Sequence, residues 1–145
     1  MFLRKKFLSK PQLDELVAAI RLAESETSGE IRIFYEKRSK GDVIARATKM
    51  FHKMKMDKTI LRNGVLIYIA YADHQFAFIG DEAIYKNVSH NFWNEVIEKM
   101  KPLFTEGKFV EGMKYAIERA GEILQKHFPA GANNMNELSD EIVDG

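Results

Sequence analysis

Apolar residues recur at helical spacing through Leu13, Leu16, Val17, Ile20 and Leu22 to Ala23, with Asp14, Glu15, Arg21 and Glu24 between them. This pattern predicts an amphipathic first helix whose charged residues face water. Ser9-Lys10-Pro11 marks its start, because a serine hydroxyl caps first-turn amides and proline fits that turn. Thr27-Ser28-Gly29 closes it, just past Glu26. The period then changes to alternation: Ile31, Ile33 and Tyr35 against Glu30, Arg32, Phe34 and Glu36 predict a strand with one buried and one mixed face. Asp42 is placed to cap a second helix carrying Val43, Ile44, Ala47, Met50, Phe51 and Met54, a Met-rich stripe assigned to the core.

A polar loop, residues 55–62, precedes Val65 to Tyr71, which is apolar on both faces and therefore a central strand. The short turn Ala72-Asp73-His74 joins it to Gln75 to Ile79 in an antiparallel hairpin. Ser89 caps a third helix carrying Phe92, Trp93, Val96, Ile97 and Met100. The last helix runs from Phe109 to His127 and stops at Phe128-Pro129. Strand, helix and strand in succession form a βαβ unit with parallel strands, so the fold class is α/β with an added hairpin. The 145 residues suit one domain, taken as 9–129, with an N-terminal extension at 1–8 and a polar, acidic stretch at 130–145 expected to be flexible.

A net charge of +1 gives no field to gather a polyanion, so nucleic acid is not an expected partner. There is no cysteine, which removes disulfides and thiolate chemistry and fits a reducing compartment. No apolar run approaches bilayer length, and the basic N-terminus reaches Ser9 without a signal-peptide core, so a soluble, cytoplasmic chain is expected. GxGxxG, GxxxxGK[ST] and Gly-x-Ser-x-Gly are absent, and His52, His74, His90 and His127 lack metal-ligand spacing.

Topology, rather than a motif, brings polar residues together. Parallel strands 1 and 2 start at one end of the sheet, and the hairpin returns strand 3 to that end. Glu30, Arg62, Asn63, Asp81 and Glu82 therefore converge, with Asp57, Lys58 and Thr59 in the adjoining loop. Oxygen donors of Asp81, Glu82, Glu30 and Asn63 suit a hard divalent cation, calcium ahead of magnesium. With a phosphate also present, Arg62 and Lys58 would hold the anion. The competing reading is that Asp81 only caps a turn and Arg62 only forms an ion pair. A protein partner would have the Met-rich helix or the helix around Trp93 as a docking face.

Four segments in order carry a family resemblance: Thr27-Ser28-Gly29-Glu30-Ile31-Arg32-Ile33, Arg62-Asn63-Gly64-Val65-Leu66-Ile67-Tyr68, Phe76-Ala77-Phe78-Ile79-Gly80-Asp81, and Phe104-Thr105-Glu106-Gly107-Lys108-Phe109 with Gly112. Together they resemble the TPM domain family, named for the TLP18.3, Psb32 and MOLO-1 proteins, over roughly residues 10–129. The resemblance implies a three-layer α/β/α sandwich with a Rossmann-like layout. It also implies divalent-cation binding, with acid phosphatase activity on phosphomonoesters in some members and assembly or receptor-modulating roles in others. Asn63 and Asp81 match the family's polar positions, and Glu30 stands where the family varies.

Overall fold

The computed structural model describes residues 7–131 and 142–144. Its elements are α1 (Lys10–Glu24), β1 (Glu30–Glu36), α2 (Val43–Lys53), β2 (Gly64–Ala70), β3 (Gln75–Gly80), α3 (Glu82–Asn87), α4 (His90–Thr105), α5 (Phe109–His127) and β4 (Ile142–Asp144). Ser9 caps α1 with a reciprocal bond from its backbone N–H to Gln12, Asp42 caps α2 through the Ala45 N–H, and Ser89 caps α4. β1 and β2 pair in parallel from Glu30–Gly64 to Glu36–Ala70, and β3 returns antiparallel along β2. The sheet order is β3-β2-β1-β4.

Alternation sorts the sheet's two faces. Val65, Ile67 and Ile69 of β2 join Ile31, Ile33 and Tyr35 of β1 in a core completed by α1, α4 and α5. Leu66, Tyr68 and Ala70 face the other way, with Phe34, onto Ala47, Met50 and Phe51 of α2. The result is the expected three-layer α/β/α sandwich, with the Met-rich stripe and Trp93 both inside it. Neither is therefore an exposed docking face.

Five features depart from the sequence pattern. β1 is buried along all seven residues, charged ones included: α2 packs on Phe34 and meets Glu36 through Arg46, and Glu24 of α1 reaches Arg32. Residues 82–87 form α3, too short to show a helical period. Leu22 and Ile44, assigned to core stripes, are 77% and 53% exposed. Phe7 and Leu8, assigned to the extension, pack into the core, with the Phe7 ring stacked 3.8 Å from Tyr71. Within the stretch expected to be flexible, Ile142–Asp144 pair with Ile33, Phe34 and Tyr35 as β4. Two β-branched residues find their partner there some hundred positions upstream, which local composition does not register. Residues 1–6, 132–141 and 145 lie outside the described residues.

The contact of α1 with α5 has little slack. A Cβ at Gly121 would stand 2.8 Å from the Cβ of Ala23 and 3.2 Å from its Cα. Gly121→Val is therefore expected to force the helices apart and lower stability by about 2 kcal/mol, the usual scale of overpacking. Urea unfolding with an unchanged m-value would check it.

Candidate functional site

The strand register brings the N-terminal ends of β1 and β2 beside the C-terminal end of β3, with Glu30 opposite Gly64 and Val65 opposite Gly80. The Asp81 N–H donates to the Gly64 carbonyl at 3.0 Å, and the Ala83 N–H to the Arg62 carbonyl at 3.1 Å. These bonds tie the start of α3 to the loop before β2. Asp81 caps α3 by accepting from the Glu82 N–H at 2.8 Å.

Arg62, in a left-handed conformation (φ 52°), grips Asp81 with two bonds, Nε to Oδ2 at 2.7 Å and Nη2 to Oδ1 at 2.9 Å. Glu82 lies 3.8 Å from the same guanidinium. The Asp81 bond, with the charges of Asp81, Glu82 and Asp57, holds the Arg62 pKa above its ordinary value despite partial desolvation. Asp57 stands 3.6 Å from His52 Nδ1 and 3.7 Å from Lys58 Nζ. Desolvation pushes its carboxyl up, but a bond from its own backbone amide, with Lys58 and His52 beside it, outweighs this and lowers the pKa.

The expected cluster is thus tight at Arg62, Asp81 and Glu82 and looser elsewhere. Asn63, buried at the head of β2, donates its amide to Ser28 Oγ at 3.1 Å. Glu30, expected on or near a solvated face, is 4% exposed and lies 3.7 Å from Arg32. Lys58 is largely exposed and is paired only loosely with Asp57. Thr59 is buried, and its Oγ1 makes no hydrogen bond. Among the described residues, no three His, Asp or Glu side chains already close round a point where a metal ion could sit. No helix among them is long and apolar enough to cross a membrane.

Two buried ionic networks were not expected from periodicity. Glu24, predicted to face water, turns inward and accepts from the Ile31 N–H at 2.7 Å and Arg32 Nη1 at 2.9 Å. Burial raises its pKa, with these two donors pulling the other way. At the far end of β1, Glu36 accepts two bonds from Arg46, at 2.8 and 3.0 Å, and one from the Tyr68 hydroxyl. Burial and the Glu36 bond push the Tyr68 pKa up to about 12. The available signal was the presence of Arg32 and Glu36 inside a run otherwise fit for a core strand.

A family model described as the TPM domain matches residues 3–123. The chain is similar to the BA42 protein of the psychrophilic bacterium Bizionia argentinensis, whose NMR structure is 42% identical over 100% of both chains with a TM-score of 0.89. It also resembles the N-terminal domain of the cg2496 protein from Corynebacterium glutamicum, at 10% identity over 90% of this chain and 82% of that one, with a TM-score of 0.63. That second likeness concerns the fold alone. No curated protein matches.

The Glu36 network makes a pH prediction. Burial works to raise the Glu36 carboxyl, but bonds from Arg46 and Tyr68 win and hold it below the ordinary 4.5. A carboxyl depressed in the folded state lends stability that is full above its unfolded value and is lost as pH falls through the folded one. Glu36→Gln is expected to cost about 3 kcal/mol near neutrality, the low end for breaking a buried pair. The gap to the parent protein should narrow below pH 4.5, as measured by denaturant unfolding across that range.

Proposed function

The chain belongs to the TPM domain family, and on that premise we propose that it is a cytoplasmic, non-catalytic or weakly catalytic module that binds a divalent cation, calcium ahead of magnesium. The observation that carries this reading is Arg62, a guanidinium set among the carboxylates of Asp57, Asp81 and Glu82 from two separate segments. A positive charge already stands where acidic groups gather, so an incoming cation competes with it for Asp81.

The donor set fits a hard ion. Carboxylate oxygens of Asp81 and Glu82 and the Asn63 side-chain oxygen belong to residues at the same end of the sheet. Calcium takes six to eight oxygens in flexible geometry, so waters would complete its shell. The Arg62 side chain is 42% exposed and has room to swing out when Asp81 is taken. Glu30 contributes through the local field, since it lies behind this end of the sheet against Arg32.

A second reading is a metal-assisted acid phosphatase acting on phosphomonoesters. It draws on the exposure of Arg62 and Lys58, two cations in the loop before β2 able to meet a phosphate. The ion would supply Lewis-acid polarisation of the phosphoryl oxygen. Arg62, once released from Asp81, would hold the anion by two parallel N–H bonds. A third reading, a metal-independent interaction domain, requires that neither ion alter stability.

Calcium is expected to raise the melting temperature of the metal-stripped protein, because a ligand bound only by the native state must do so. By titration calorimetry, Arg62→Gln should bind calcium about fivefold more tightly, having lost the competing charge. Asp81→Ala should bind weakly or not at all. Calcium affinity unchanged in both variants would remove the cation from this site. Hydrolysis of a phosphomonoester that depends on the ion and on Arg62 would favour the phosphatase.

A further inference from the structure

We propose that the outer face of α1 and α5 is a docking groove for a basic amphipathic helix of a partner protein. The two helices run in the same direction, Glu15 beside Lys114 and Glu26 beside Gln125, and touch closely at Ala23 and Gly121. Between their outward ridges lies a groove of about 570 Å³. Its floor is Ala18, Ala19, Leu22 and Ala23 of α1. Leu22 stands 77% exposed there, the most exposed leucine in the described core helices.

The rim decides the occupant. Glu15, Glu26, Glu118 and Glu122 surround the floor. Lys114 answers Glu15 at 3.1 Å and Arg119 answers Glu122 at 2.5 Å, while among the described residues Glu26 receives the Gln125 amide at 2.8 Å. Four carboxylates against two cations leave an acidic border round an apolar strip. Anionic lipid and nucleic acid are repelled by that border, whereas lysines flanking an apolar face are attracted to it. From Glu15 to Glu26 the groove is about 17 Å long at the helical rise, so it takes about three turns of helix. Small residues on the floor let a third helix approach, with Leu22 filling a gap between its side chains.

The probe is a leucine–lysine amphipathic peptide of about 14 residues, three to four turns long. Its counterpart carries glutamate for every lysine. Titrated into isotope-labelled full-length protein, the lysine peptide is expected to shift amide resonances of α1 and α5 around the groove, and the glutamate peptide to shift none. Leu22→Ser, which should melt like the parent protein because the side chain is exposed, is expected to bind the lysine peptide about tenfold more weakly. The double variant Glu118→Lys, Glu122→Lys should exchange the preference and take the glutamate peptide. Equal binding of both peptides, shifts centred elsewhere, or no shift at ~1 mM peptide would overturn the proposal. So would concentration-dependent dimerisation abolished by Leu22→Ser, which would assign the face to a second copy.

Discussion

One constraint organises this domain: β1 carries Glu30, Arg32 and Glu36 between two layers of helices, where an isolated charge is far too costly to keep. Glu30 lies against Arg32 of its own strand, and Arg32 and Glu36 are answered by side chains from neighbouring elements. α1 supplies Glu24 to Arg32, α2 supplies Arg46 to Glu36, and β2 supplies the Tyr68 hydroxyl. A strand slipped by one residue would turn these groups into apolar layers and leave their partners unmatched. The ionic contacts thus specify the register of the parallel pair, while Ile31, Ile33 and the β2 residues provide most of the burial.

The two ends of the sheet are consequently unlike each other. At the Glu36 end the charges are sealed by Arg46 and an aromatic hydroxyl and have no slack. At the Asp81 end the cation belongs to a half-exposed side chain on a loop whose backbone is left-handed at both Lys55 and Arg62. Asp81 serves the fold, as cap of α3, and the site, as partner of Arg62, through one carboxylate whose Oδ1 takes part in both. Any ligand here has to engage a residue that also anchors local structure.

Most of the architecture was legible because its signals are local. The cap at Ser9, the doubly apolar run of β2 and the bounds Phe109–His127 ahead of Pro129 all follow from a few neighbouring residues. The convergence of Arg62, Asp81 and Glu82 was legible too, since parallel and antiparallel pairing determines which strand ends meet. What escaped depends on distant partners. Glu24 sits at a solvent-facing step of the α1 period, and only the backbone N–H of Ile31 and the guanidinium of Arg32 explain why it turns inward. Leu22 scans as core by composition, yet α1 needs only Leu16 and Ile20 fully buried to seat on the sheet. α3 and β4 are six and three residues long, too short for any periodicity to be seen.

The pairing of Ile142–Asp144 with β1 reaches further than its three residues. A buried strand with one wholly apolar face, ending a sheet without a neighbour, is a template for indiscriminate strand addition and so an aggregation hazard. β4 covers the middle of that margin, from Ile33 to Tyr35, while the Glu24 carboxylate occupies the Ile31 amide just before it. Asp144 closes the covering with a negative charge beside Tyr35. Ile142–Asp144 and one glutamate of the first helix together leave less of that margin open to a strand from another chain.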